Sequence, residues 1–347
     1  MLKKTVYLFI IALPLWACIF LSSCGKTKEK YSEYSFDYFD TVTTITGYAE
    51  SKEEFDEISA WVIAELGEYH RLFDIYKRYE GMENLCTVNE LEDGSHRTVK
   101  VDARIIEMLE YAKEMYEKTG GKVNVAMGSV LSIWHDYRIE GIDKPWAAQL
   151  PPIDKLEKAA EHTDINAIVI DRENGTVTIT DPEVKLDVGA IAKGYAVEMV
   201  ARKLEKKGIT GYMLNVGGNV RAVGARGDGT LWTVGVENPL QDGGRDYVAY
   251  LKLSHESLVT SGSYQRYYVV DGKRYHHIID PETLMPSEGF LSVSILCESS
   301  AMGDALSTAL FCMDVERGKA LIASVEGAEA MWVLPDGSIE KTPGFPW

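Results

Sequence analysis

Five segments of the chain carry residues whose types and spacing suit phosphate, metal or ligand chemistry. In Asp187-Val-Gly-Ala-Ile-Ala-Lys-Gly-Tyr-Ala196, small residues precede and open a helix, so the first-turn N–H groups are expected to be bare and outward-facing. A helix start is a natural phosphate site, and Lys193 adds a full positive charge to it. It is not a P-loop, which would read Gly-x-x-x-x-Gly-Lys-Ser/Thr. A tightly packed small-residue turn beside an exposed lysine would use the same residues without any ligand. In Ala301-Met-Gly-Asp-Ala-Leu-Ser-Thr-Ala-Leu310, Asp304 and Thr308 stand four apart and so share one helix face. A carboxylate and a hydroxyl, completed by a carbonyl and waters, suit a hard cation such as Mg²⁺. The competing reading has Asp304 as a helix N-terminal charge and Thr308 bonded to its own backbone.

Arg274-Tyr-His-His-Ile-Ile-Asp-Pro-Glu-Thr283 places histidine before Asp-Pro next to a β-rich stretch. Such a histidine can act as a general base or orient a phosphate, or it can be a hydrogen-bonded structural residue. Asn215-Val-Gly-Gly-Asn219 and Ser261-Gly-Ser-Tyr-Gln-Arg266 each put glycine and polar side chains at a strand end. Loops of that kind let a ligand approach the backbone closely, although ordinary hairpin turns look the same.

The elements that must position these residues follow from periodicity. Apolar Phe55, Ile58, Val62, Leu66, Tyr69 and Phe73 recur at three- and four-residue steps, predicting a helix over 51–79. A second helix is expected over 103–118, with Ile106, Leu109 and Met115 inward and a stop at Gly120-Gly121. Residues 145–152 break the pattern before a short helix over 153–161. Segments 167–170 and 176–180 read as paired strands around Asn174-Gly175. A long helix over 191–207, a strand over 212–216 and several strands between 220 and 270 follow. A strand over 291–296, a helix over 301–313 and a last strand over 330–334 complete the order. Strands and helices are intermixed rather than strictly alternating, so the expected class is α+β, with a mixed, largely antiparallel sheet and packed helices.

Composition bounds the rest. With 46% apolar and 26% charged residues, the chain is an ordinary globular one of 347 residues, enough for one large domain or two lobes sharing a cleft. Its formal charge of −17 argues against a nucleic-acid partner. It also requires any phosphate-bearing substrate to be met by a cation or local donors. At the N-terminus, Lys3 and Lys4 precede an apolar run over 5–20 that contains Pro14 and ends in Leu21-Ser22-Ser23-Cys24. That pattern is a secretory signal and is too short to span a bilayer. Leu-Ser-Ser-Cys looks like a bacterial lipobox, so residues 1–23 are expected to be a signal peptide and Cys24 a lipidated first residue. The mature protein would then be lipid-anchored at the extracytoplasmic face of the cell membrane. Residues 24–36 are polar and are expected to form a tether, with the folded domain over 37–347. Past Cys24, Cys86, Cys297 and Cys312 are too scattered for a disulfide framework.

Taken in order and spacing, DVGAIAKGYA (187–196), NVGGN (215–219), TSGSYQRYY (260–268), HIIDPET (277–283) and GDALSTAL (303–310) resemble the hallmarks of the ApbE family of FAD:protein FMN transferases. The resemblance covers nearly the whole chain from about Phe39 onward and implies a flavin held in a cleft between two lobes. It implies that FAD is cleaved at its pyrophosphate with Mg²⁺, FMN passing to a threonine or serine hydroxyl of another protein and AMP leaving. The acceptor would be an exported or membrane redox protein, such as a subunit of an ion-pumping electron-transfer complex. By position, Asp304, Thr308 and the Ala190 carbonyl match metal ligands, and Lys193 with Gly189 and Ala190 matches the flavin-phosphate cradle. His277 matches a residue that activates the acceptor hydroxyl, and Asp187 is expected to orient the turn. Gly217, Gly218, Asn219, Ser261, Gly262 and Tyr264 match flavin-lining loops, with Tyr264, Tyr267 and Met213 as candidates for the slot around the ring. Two segments depart from the family: Phe39-Asp40-Thr41 stands where Met-Gly-Thr is common, and GMENLCTVN (81–89) only loosely matches Ser-Glu-Ile-Ser-x-Leu-Asn. Two other activities fit the same residues, a Mg²⁺-dependent FAD pyrophosphatase and a non-catalytic flavin-binding lipoprotein.

Overall fold

The computed structural model describes residues 27–90, 97–240 and 244–346; the expected signal segment and Cys24 lie outside these described residues. The first strand, β1 (Glu29–Ser35), pairs with β2 (Thr43–Ala49), so most of the segment expected to be a tether belongs to the fold. An edge strand buries one face only, and charged residues such as Glu29, Lys30 and Glu33 blunt it against further pairing. That is why its composition resembles a linker.

Helix α1 (Lys52–Phe73) starts where the Ser51 side chain accepts the Glu54 amide, and it stops six residues before the expected end. Asp74 is extended, and its Oδ1 accepts the amides of Tyr76 and Lys77 at 2.8 and 3.0 Å, a local alternative that competes with the helix. The short α2 (Leu85–Asn89) is capped by Asn84, and Asn89 exchanges two hydrogen bonds with the backbone of Leu186 at 2.7 and 2.9 Å. This segment therefore braces the stretch that leads into Asp187.

Strand β3 (Arg97–Lys100) leads to α3 (Ala103–Lys118), which ends as expected with Gly120 and Gly121 in the left-handed region. Helix α4 (Gly128–Asp143) was not foreseen. Its N-cap, Met127, makes no side-chain cap bond, and Gly128 N–H docks on the Lys185 carbonyl instead, so no start signal appears in the sequence. Helix α5 (Ile153–Ala160) follows, then β4 (Ile168–Asp171) and β5 (Thr176–Ile179), which pair through a four-residue turn rather than a two-residue one.

Beyond them, α6 (Ala192–Lys206) leads into β6 (Tyr212–Val216) and β7 (Asn219–Val223). The strands β8 (Trp232–Glu237) and β9 (Tyr247–Leu253) form a separate ribbon, and β10 (Ser257–Gly262) returns to the main sheet. After the β11 (Tyr267–Val270) and β12 (Lys273–His276) hairpin comes β13 (Ser292–Cys297), then α7 (Ser300–Phe311), α8 (Val315–Ala323), β14 (Glu329–Val333) and β15 (Ile339–Lys341). The central sheet runs β1-β2-β6-β7-β10-β13-β14-β15, antiparallel at every pairing. Its edge is β15, not the expected last strand β14.

Strand alternation sends Leu214, Val293, Ile295 and Trp332 to the face covered by α1, α6 and α7. It sends Val220, Ala222, Met331 and Val333 to the face covered by the β8–β9 ribbon. Met127, Val130, Trp134, Leu156, Tyr268 and Ile279 make a separate core under α4, α5 and the β11–β12 hairpin. The α+β class agrees with the sequence. Cys86, Cys297 and Cys312 are free and buried.

Between α6, α7 and β7 lies a buried charge network. Glu198 Oε2 accepts the Ser300 amide at 2.9 Å and Arg221 Nε at 3.2 Å, while Oε1 accepts Arg202 Nε at 2.8 Å. Removing the carboxylate would leave the buried Arg221 guanidinium, among the described residues, only the partly exposed Glu205 as an ionic partner. Glu198→Ala is therefore expected to lower unfolding free energy by about 3–5 kcal/mol. Urea unfolding measures this, and wild-type stability would mean that the network does not hold the two helices.

Candidate active site

The fold holds a cavity of about 1470 Å³. It exceeds the roughly 300–1,000 Å³ of an ordinary small-molecule pocket. Its volume suits a dinucleotide together with part of a second reactant. Gly189, Ala190, Lys193, Gly217, Gly218, Ser261, Gly262, Tyr264, His277, Asp187, Asp304 and Thr308 all line it. Residues from five distant segments thus converge on one space. Asn219 differs: it is buried behind the wall, where its Oδ1 accepts Lys193 Nζ at 2.8 Å. Tyr264 and Tyr267 face the cavity, but Met213 packs against the ribbon side of the sheet and is no part of the slot.

The α6–α7 crossing is the centre of the site. Asp304, on α7, takes Lys193 Nζ on Oδ1 at 3.2 Å and the Gly194 amide on Oδ2 at 2.7 Å. A Cβ on Gly194 would collide with the Asp304 Cβ and the Ser300 carbonyl, so only glycine permits this approach. The expected bare amides are largely absent. Ile191 and Ala192 donate to the Val188 carbonyl, Gly189 donates to Asp187 Oδ1 and Gly194 donates to Asp304. Positive potential at this turn therefore comes from Lys193 and the helix dipole more than from free N–H groups.

Gly194 is the third residue of α6, so its N–H has no acceptor within the helix, and the Asp304 carboxylate supplies one. Ala190 precedes the N-cap Ile191, so its carbonyl stands ahead of the helical ladder. The Ala190 carbonyl, the Asp304 carboxylate and the Thr308 hydroxyl one turn further along α7 all border the cavity. On α7, Ser307 Oγ donates to the Asp304 carbonyl at 3.0 Å, which leaves Ser261 Oγ to donate to Ser307 at 2.8 Å. The Ser-Gly-Ser-Tyr loop is fixed to the same helix in this way.

Geometry separates the two adjacent histidines. His276 is buried, with Nε2 at 2.7 Å from the Ser287 carbonyl and Nδ1 accepting the Ile278 amide. It is structural. His277 is half-buried on the cavity, and its Nδ1 lies 3.2 Å from the Arg266 carbonyl. A carbonyl can only accept, so Nδ1 carries the proton and Nε2 is left as a base. Burial first, then the guanidinium groups of Arg266 and Arg138, hold its pKa down to about 3. The carboxyl of Asp187 is pushed upward by burial, against the Gly189 N–H bond and the nearby His135 and Arg138. Behind His277, the buried Lys122 ammonium pairs with Asp280 at 2.8 Å and Glu282 at 3.0 Å and so fixes the Asp-Pro turn.

One wall was missed from the sequence. Leu131, His135, Arg138, Ile139 and Ile142 line the cavity from a single face of α4, and Tyr76 stacks on His135 with ring centroids 5.1 Å apart. The available signal was the spacing of those α4 residues at three- and four-residue steps.

A profile of the ApbE family matches residues 39–332. Among characterised relatives, FAD:protein FMN transferase of Klebsiella pneumoniae is 32% identical over 278 residues, 78% of this chain and 83% of the relative. The protein of that name from Treponema pallidum is 32% identical over 261 residues, 71% of this chain and 70% of the relative. The crystal structure of the ApbE protein from Thermotoga maritima superposes with a TM-score of 0.78 at 28% identity, covering 91% of this chain and 98% of that one. The flavin transferase ApbE from Vibrio cholerae shares the fold, with a TM-score of 0.73 at 23% identity over 91% of this chain and 97% of that one.

The protonation of His277 has a consequence for stability. An unfolded histidine titrates near 6.5, the folded one near 3, so between those values the unfolded chain binds the extra proton. Folding stability contributed by the neutral ring is full above about pH 6.5 and is lost as the pH falls toward 3. His277→Gln is expected to show a shallower acid-side loss than wild type when urea unfolding is followed across that window. Parallel curves would mean that the ring titrates normally.

Proposed function

The chain belongs to the ApbE family and transfers FMN from FAD to protein, and from that premise we propose that it does so with Mg²⁺, onto a threonine or serine hydroxyl of an exported or membrane redox protein. The observation that carries this reading is the convergence of Asp304, Lys193 and the start of α6 on one cavity with the Nε2 of His277.

The donor set fits the ion. One carboxylate, one hydroxyl and one carbonyl that precedes the helical ladder are hard oxygens, and Mg²⁺ is commonly held by one or two carboxylates plus substrate phosphates. The Lys193 ammonium beside Asp304 already shows a cation satisfying that carboxylate. Asp304, Thr308 and the Ala190 carbonyl would hold the ion, which when bound supplies Lewis-acid neutralisation of phosphoryl charge.

The remaining work falls to the chain. His277 Nε2 takes the acceptor hydroxyl proton as that oxygen bonds to the flavin-side phosphorus. The bond from this phosphorus to the bridging oxygen breaks, and AMP departs with that oxygen. Phosphoryl transfer needs positioning and charge neutralisation more than covalent help. Lys193 provides charge, and Gly217 and Gly218, both left-handed, let the substrate approach the backbone. Asp187 fixes the 187–190 turn through Gly189 N–H. Lipidation of Cys24 would hold this site at the outer membrane face; the four residues between it and β1 extend at most about 14 Å.

Incubation of the purified protein with FAD, Mg²⁺ and a threonine-bearing acceptor domain is expected to add one FMN to the acceptor by mass and to release AMP. Free FMN with an unmodified acceptor would indicate hydrolysis instead, and intact FAD would indicate binding alone. Asp304→Ala is expected to slow transfer about 100-fold or more. Cys24→Ala should leave the rate on a soluble acceptor unchanged and move the protein out of the membrane fraction. A variant that remained with the membrane would rule out the lipid anchor.

A further inference from the structure

Several cationic side chains border the cavity, and they differ in what they face. Lys122 is paired with Asp280 and Glu282, and Lys193 is engaged by Asp304 and Asn219. Arg138 and Arg266 face no carboxylate within 4 Å among the described residues. Arg138 is half-buried, and Nη2 donates to the His135 ring at 3.1 Å. Burial lowers its pKa, with Tyr76 and Asp187 acting partly against it. Asp187 lies in the same neighbourhood, but burial pushes its carboxyl toward the neutral form. Arg266 donates from Nη2 to two neutral carbonyls, those of Phe39 at 3.4 Å and Asp40 at 3.1 Å. Both guanidinium groups bear on His277 and depress its basicity together.

In a chain of net charge −17, two unpaired guanidinium groups beside the general base are the opposite of what composition favours. The α6 turn cannot hold a diphosphate alone, because most of its amides are already used. We propose that Arg138 and Arg266 form a second phosphoryl-binding pair on the His277 side of the cavity, which takes phosphate oxygens that Lys193 does not neutralise. This rests on the flavin-transfer reading. Guanidinium is suited to the task, since it stays charged when partly buried and presents parallel donors to phosphate. The phosphate sources in FAD are two, the flavin side and the adenosine side. The pair's place beside His277 points to the flavin-side phosphate, where the acceptor oxygen attacks.

The test uses the full-length protein with FMN and AMP as separate probes, titrated calorimetrically at low and moderate salt, beside steady-state transfer from FAD. Arg138→Gln is expected to weaken FMN binding roughly tenfold or more and to reduce its salt dependence, with Arg138→Lys recovering most of the loss. Arg266→Lys should bind FMN better than Arg266→Gln, which gives an independent arm if one position disturbs folding. A loss confined to AMP would support the pair and assign it to the leaving phosphate. Equal loss in the Lys and Gln variants at both positions would make the role one of shape and overturn the proposal, as would unchanged binding of both nucleotides. A wild-type protein that leaves FAD intact and binds neither nucleotide would overturn the flavin reading itself, and the proposal with it.

Discussion

The contact between Asp304 and the start of α6 sets the rest of the site. One carboxylate receives an ammonium on one oxygen and a backbone amide on the other, at a crossing that only Gly194 allows. Ala190 stands ahead of the helical ladder and borders the same cavity, and Lys193 brings an ammonium to its edge beside the same carboxylate. The Glu198 network behind it, tied to the Ser300 amide and Arg221, keeps α6 and α7 in that relation. A hydrogen bond worth about 1 kcal/mol in a surface turn has a larger effect when it fixes the approach of two helices.

Net charge supplies the second constraint. A chain this acidic repels phosphate at long range, so its cations must be concentrated where binding occurs. The cavity meets that condition by leaving arginines unpaired while surface charges pair widely, as Lys52 does with Asp56 and Lys273 with Glu288. Depressing the basicity of His277 is the cost of this arrangement in the free protein. A bound phosphate would reverse it, because an anion beside the imidazole favours its protonated form. In its proposed role as base, the imidazole would then strengthen as the substrate arrives.

Much of this was legible in the sequence because its signals are local. The α3 boundaries followed from periodicity and two glycines, and the small-residue entry to α6 and the Asp304–Thr308 spacing marked the site. What was not legible depends on tertiary partners. Helix α4 begins on the Lys185 carbonyl with no capping side chain, so the wall bearing His135 and Arg138 had no start signal. The end of α1 was decided by the Asp74 side chain, and β1 looked like a linker because an edge strand buries so little. The expectation of bare amides at α6 failed for a similar reason: Asp304, more than a hundred residues away, had taken one of them.

The departure at Phe39-Asp40-Thr41 acquires a physical meaning from the same network. Phe39 and Asp40 stand at φ 59° and 48°, in the region where glycine is at ease and an aspartate is one of the better-tolerated alternatives. The turn is held from two sides, by His70 Nδ1 accepting the Phe39 amide at 3.3 Å and by Arg266 donating to the Phe39 and Asp40 carbonyls. It presses Thr41 against Gly217, where no side chain would fit. Arg266 also offers its own carbonyl to both the amide and Nδ1 of His277, at 3.1 and 3.2 Å. One residue thus joins the turn that closes the cavity to the tautomer of the base within it. A substrate phosphate that drew the guanidinium inward would act on both at once, loosening a backbone held in a sparsely populated conformation while the carbonyl kept its hold on the imidazole.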